Sequence, residues 1–228
     1  MNKMFFLKSA LVLACSAVTP LVTPVMAASQ NVASINIEES KQLLREKLAH
    51  LNVFTADFTQ DVVSESGESL EQSAGNLAIS KPNLAHWHTK EPDELTIVSD
   101  GNDVWFYNPW IEQVSVYSLS SAIAKTPILL LTSKDELLWQ QYDVTKVNSR
   151  FVISAKDPNS QVKSLTLVFA VDEQNHQTSH LSQFSFLDAT GQVSHIKLSN
   201  FDIHKSLPES LFKFVVPEEV QVDDQRAN

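Results

Sequence analysis

His86 and His88 stand two apart in Leu84-Ala-His-Trp-His-Thr89, a run that reads as a β-strand. Both imidazoles would then point to one face, the arrangement that two ligands of a metal ion need. The neighbouring sequence offers no third ligand, and the pair is predicted to be two solvated histidines on an outward face. His50, His176, His180, His195 and His204 are scattered among polar residues and suggest no cluster. Paired carboxylates, the groups of general acid–base chemistry, occur at Glu218-Glu219 and Asp223-Asp224. Both pairs lie among polar residues near the C-terminus and read as a solvated tail. No Gly-x-Ser-x-Gly elbow and no His-Glu-x-x-His occurs. The sole cysteine, Cys15, falls in a segment expected to be removed, so the processed chain has no thiol nucleophile. An enzyme is not expected.

The segment Thr126-Pro-Ile-Leu-Leu-Leu-Thr132 is of another kind. Thr126 suits a helix N-cap and Pro127 the first helical position. Ile128, Leu129, Leu130 and Leu131 then point in every direction around one turn, so the turn must be buried on more than one side. Two readings follow. It is a plug that closes one end of a barrel and fills its core, or a lid over an apolar cavity that a greasy ligand occupies.

The elements that must position these residues are one helix followed by strands. From Asn36 to Leu51, Leu44, Leu48 and Leu51 recur at helical spacing, and Asn36 with Glu39 forms a plausible capping box. The period then switches to two: Phe54, Ala56, Phe58, Gln60 and Val62 alternate with their neighbours. Further strands are predicted at 74–80, 84–89, 95–99, 103–108, 112–117, 140–146, 150–155, 164–171, 181–187, 193–201 and 212–216. Ser64-Glu-Ser-Gly67, Lys81-Pro-Asn83 and Ser99-Asp-Gly-Asn102 punctuate them as turns. The expectation is a mainly β chain with some α: a single curled antiparallel sheet of about eleven strands forming an incomplete, unclosed barrel, with an N-terminal helix and a short helical lid.

Charge and composition narrow the function. The chain has 228 residues, 43% of them hydrophobic, enough for one domain with a core. A net charge of −10 without a basic run disfavours nucleic acid and anionic bilayer surfaces. Four glycines leave no phosphate-binding loop. Lys3 and Lys8, the apolar run Ala10–Val18 and the small-residue site Val25-Met-Ala27 read as a secretory signal peptide over 1–27, leaving one domain over 28–228. Its removal takes away two lysines and no acid, moving the charge from −10 to −12. Leu13-Ala14-Cys15 also resembles the end of a lipobox, but only six residues separate Lys8 from Cys15 and Leu13 is bulky, so soluble export is preferred.

The runs Phe54-Thr-Ala-Asp-Phe-Thr-Gln60, Lys81-Pro-Asn-Leu-Ala-His-Trp87 and Val98-Ser-Asp-Gly-Asn-Asp-Val-Trp-Phe-Tyr-Asn-Pro109 resemble the LolA family of periplasmic outer-membrane lipoprotein carriers. Ile111-Glu-Gln-Val114, Thr126-Pro127, Trp139-Gln-Gln-Tyr142 and Val222-Asp-Asp-Gln-Arg226 continue the likeness in order. The resemblance implies an unclosed barrel with a helical lid that holds the acyl chains of a lipoprotein between the inner and outer membranes, with no cofactor and no chemistry on the cargo. It implies, as partners, an ATP-driven inner-membrane complex that supplies the cargo and the anchored receptor LolB that takes it, with a monomeric carrier in the periplasm. Relatives sharing the barrel include the LolB-like receptor, a sensor domain and a pigment-pathway enzyme, so fold alone does not decide.

A carrier must offer acyl chains an apolar volume and still release them. Leu48, Trp87, Ile128, Leu129 and Leu131 are assigned to that volume. Leu84, Val104 and Phe106 are added with the reservation that alternation gives the face without saying which face is inside. Two departures from the family pattern stand out. Lys81 replaces an arginine that in the family bonds the lid, and Ala85 replaces an aromatic. Lys81 keeps the charge without the planar fork, so a looser lid is expected.

Overall fold

The computed structural model describes residues 26–123, 127–171 and 179–226. Except for Met26 and Ala27, the expected leader lies outside these residues, as do Cys15, Thr126 and His176. Helix α1 (Met26–Ala49) begins ten residues before Asn36. Asn36 is therefore interior and caps nothing; its Oδ1 accepts a hydrogen bond from Ser40 Oγ one turn on, at 3.4 Å. Leu44 and Leu48, with Leu51 just beyond the helix, enter the core as the spacing predicts.

Twelve strands form one sheet among the described residues. They are β1 (Val53–Val63), β2 (Ser69–Ser80), β3 (Leu84–Glu91), β4 (Leu95–Asp100), β5 (Asp103–Asn108) and β6 (Gln113–Ser118), then β7 (Tyr142–Val147), β8 (Arg150–Ala155), β9 (Val162–Val171), β10 (Ser179–Asp188), β11 (Val193–Ile203) and β12 (Gln221–Asp224). The spatial order is β12-β6-β5-β4-β3-β2-β1-β11-β10-β9-β8-β7. The two edge strands do not pair with each other, so the sheet curls around its core without closing. Alternation explains the strands: along β1, Phe54, Ala56 and Phe58 are buried while Val53, Thr55 and Asp57 are less so. Helix α1 lies against β7, and Ser40 Oγ accepts the Lys146 N–H at 3.2 Å, so the helix satisfies a donor that an edge strand would leave open.

A second apolar layer covers the outside of one wall. Ala78, His86, Val98, Trp105 and Val116 stand opposite one another across five neighbouring strands and share the face turned away from the core. A 3₁₀ turn (Glu209–Phe212) packs on β3 and β4, and Phe214 stacks on Trp105 with ring centroids 5.7 Å apart. The strand expected over 212–216 is therefore absent; that segment is a cover laid on the sheet. Asp223 and Asp224 lie in β12, which pairs parallel with β6, rather than in a solvated tail. Arg226 holds this end, bonding Asp224 and, at 2.8 Å, Asp103 at the start of β5. No helix among the described residues is long and apolar enough to cross a membrane.

Candidate functional site

Trp87 on β3, Ile97 on β4 and Phe106 on β5 are direct cross-strand partners, so their side chains form a row on the inner face. With Phe184 and Phe186 from β10 and Ile128 they line a cavity of about 340 Å³. Glu71, Asp93 and Glu94 also border it, giving an apolar hollow with carboxylates on its wall. The Trp87 indole lies on the Phe58 ring and meets Phe184 edge-on. Its Nε1–H donates to Thr89 Oγ1 at 3.1 Å, which satisfies the ring's polar atom within its own strand. Phe58 in turn faces Gly75 on β2. A Cβ at Gly75 would fall 1.9 Å from His88 O and 2.8 Å from the Phe58 ring, so only glycine fits there.

A larger hollow of about 1000 Å³ has Asp61, Gln72, Arg150, His195 and Lys197 among its walls. These charged and polar residues alternate with the inward residues of their strands, while Gln60, Ser73 and Phe184 line this hollow and the cavity alike. Charged walls of this kind do not suit an alkyl chain.

The aliphatic segment forms a 3₁₀ turn (Pro127–Thr132) in which Ile128, Leu129, Leu130 and Leu131 are all buried. It fills the core, as the plug reading expects. Ile128 is also a wall of the cavity, as the lid reading expects. The turn is fastened at its end: Thr132 Oγ1 donates to Leu129 O at 2.7 Å, and the Asn83 N–H donates to Thr132 O at 3.4 Å. Asn83 itself has φ +64°, a conformation that asparagine tolerates, and its carbonyl accepts from Ser99 Oγ at 2.6 Å. Beyond the turn, Glu136 of α2 (Glu136–Trp139) pairs with Arg45 of α1.

Lys81 stands beside the turn on the wall of a small void that it shares with Leu48, Ile128, Leu131 and Thr132. Its Nζ donates to Leu48 O at 2.7 Å, at the end of α1 rather than to a carbonyl of the turn. Burial, with Lys134 adding repulsion, pulls its pKa down to about 8. Ala85 is buried in the same core.

The residues assigned from sequence separate into three groups. Trp87, Phe106 and Ile128 come together at the cavity; Leu48 and Leu131 line the small void; Val104 and Leu129 are buried in the surrounding core. Leu84 is a correction. It lies three residues from Trp87 on a regular strand, so it shares the opposite face with His86 and His88 and is no part of the cavity. Those two histidines do share a face, with rings 6.3 Å apart. They are not simply solvated: burial, then His88, pulls the His86 pKa below its usual value, and His88 Nε2 lies 3.1 Å from Glu94 Oε1. Ile97, Phe184 and Phe186 were missed. The alternation of Phe184-Ser-Phe186 shows that the two phenylalanines share a face, but only the sheet order turns that face toward Trp87.

The profile of the family described as "Outer membrane lipoprotein carrier protein LolA" matches residues 49–215. The chain belongs to the LolA family. A protein named "Outer-membrane lipoprotein carrier protein" from Psychromonas ingrahamii is 37% identical over 90% of this chain and 98% of its own length. Proteins of the same name from Aeromonas salmonicida and Shewanella sediminis are 37% and 39% identical, over 80% and 82% of this chain and 88% and 86% of theirs. The LolA profile covers nearly all of the sheet, including every strand that lines the cavity and the aliphatic turn.

Proposed function

We propose that this protein is a periplasmic chaperone that takes up the acyl chains of lipoproteins released from the inner membrane and delivers them to an outer-membrane receptor. The observation that carries the reading is the apolar cavity built by the Trp87-Ile97-Phe106 row and roofed by Ile128. Each buried methylene contributes about 0.8 kcal/mol, so an acylated protein leaves a bilayer for water only if a soluble partner buries its chains. An alkyl chain makes no hydrogen bonds to the row, so none must break when it leaves, which favours release as well as capture. The names of the relatives support lipoprotein as cargo. The finer partners belong to the same reading: an ATP-driven inner-membrane complex as donor and LolB as acceptor, with the carrier acting as a monomer and without a cofactor. The processed chain is read as starting at Ala28.

The test is release. Added to spheroplasts that have been labelled for lipoproteins, the processed protein should bring triacylated lipoprotein into the supernatant as a one-to-one complex. Release by a known carrier but not by this protein would sink the proposal.

A further inference from the structure

The inner faces of three strands change character at the same level. Gln60 stands two residues beyond Phe58 on β1, Thr89 two beyond Trp87 on β3, and Asn108 two beyond Phe106 on β5, so each polar side chain shares the face of an aromatic one. Ser73, the cross-strand partner of Gln60, continues the series on β2. All four border the cavity, and Gln60 and Ser73 also border the larger hollow, so they form a polar collar where the cavity opens. Outside the collar come the carboxylates: Glu71, two residues further along that face of β2, and Asp93 and Glu94 in the turn between β3 and β4. Two collar side chains are already oriented. Thr89 is only 8% exposed, and its Oγ1 accepts the Trp87 indole N–H, which leaves its own proton without an acceptor among the described residues. Asn108 Oδ1 accepts the Trp110 N–H at 3.0 Å, which leaves the two donors on its Nδ2 unused among the described residues. An alkyl chain that fills the cavity expels the water serving these donors, and a donor left dry costs more than a hydrogen bond gains. A ligand with a carbonyl at that level relieves the cost.

We infer that Gln60, Ser73, Thr89 and Asn108 form a carbonyl-binding collar that selects acyl chains over plain alkyl chains: the hydrocarbon fills the apolar depth, and its ester or amide carbonyl oxygen accepts from the Thr89 hydroxyl with the other donors beside it. The inference rests on the carrier reading and names the chemical class that the same cavity prefers. It also orients the cargo, because a carbonyl held at the collar leaves the group it joins facing the acidic rim and water.

The test uses the purified processed protein loaded with the neutral dye N-phenylnaphthylamine, and two competitors that differ by one carbonyl, monolauroylglycerol and its ether counterpart dodecylglycerol. In the wild type the ester should displace the dye at an about five-fold lower concentration than the ether, the worth of one hydrogen bond. Thr89→Val keeps the shape of the side chain and removes its hydroxyl, so it should bring the two competitors to parity, chiefly by tightening the ether. Thr89→Ser should restore the preference, which a role in packing alone does not produce. Asn108→Asp keeps the oxygen that Trp110 bonds and loses the amide donors, so it should lower the preference. Thermal melts establish that each variant folds. Equal displacement by ester and ether in the wild type overturns the collar, as does an undiminished preference in Thr89→Val, or in Asn108→Asp should Thr89→Val not fold. Displacement by neither competitor overturns the carrier reading itself.

Discussion

The Trp87 indole stacks on the Phe58 ring with centroids 3.9 Å apart and 28° between the planes. The pair is the hinge between core and cavity, since Phe58 is fully enclosed while Trp87 forms the cavity wall. Its geometry depends on a third residue, because the Phe58 ring occupies the space over Gly75 that any side chain would need.

Gly75→Ala should therefore destabilise the protein by about 1–3 kcal/mol, the usual cost of an overpacked core. The added methyl meets the backbone of β3, which cannot rotate away as a side chain can. Urea unfolding of the two proteins measures this directly. Equal midpoints would show that β2 and β3 separate without cost.

A charge on the aliphatic turn should act differently at adjacent positions. Ile128→Glu places a carboxylate on a cavity wall that water can reach, so the thermal transition should remain cooperative while lipoprotein loading fails. Leu129→Glu buries the charge in the core and should abolish cooperative folding. Thermal melts by circular dichroism, paired with the spheroplast release assay, separate the two outcomes. Loss of folding in both variants would mean that Ile128 is ordinary core.

Lys81 gives stability a pH dependence. In the folded chain its pKa is about 8, against 10.5 when exposed. Between those values the unfolded chain holds a proton that the folded chain has released, so stability rises with pH across that window. Below about pH 8 both forms are protonated and the cost of burying the ammonium is present in full. Lys81→Met removes the titration. Its stability relative to wild type should be most favourable near pH 7 and should shrink as pH approaches 10. A difference that stays constant over that range would show that the folded chain does not perturb this amine.

The outer cover should contribute through its aromatic contacts. Phe214 touches both Trp105 and Tyr107, each at 5.7 Å between centroids. Phe214→Ala should cost about 1–2 kcal/mol and should shift tryptophan emission to the red as Trp105 gains water. It should also speed amide exchange along β12, since the cover leads into that strand. Unchanged exchange at residues 221–224 would mean that β12 is held by its own ladder and by Arg226 alone.

Much of this architecture is legible from local pattern. The strict alternation of Phe54, Ala56 and Phe58 specifies a half-buried strand, and four aliphatics in one turn specify burial on all sides, because side-chain direction follows backbone period whatever the surroundings. The same rule excludes Leu84 from the face of Trp87, since residues three apart on a strand point oppositely. What local pattern does not carry is which face is inside. Val98 and Val116 are as apolar as Ile97 and Val104, yet they lie beneath Phe212 and Phe214 on the outside of the wall, because a segment more than ninety residues away folds back over them. The pairing of β12 with β6, the partner of Lys81 and the close approach of His88 to Gly75 have the same origin. Each is a contact between residues distant in sequence, decided when the sheet curls and its strands take neighbours. The sheet-bound Asp223-Asp224 shows the converse: a weak local signal that pairing with β6 was free to overrule.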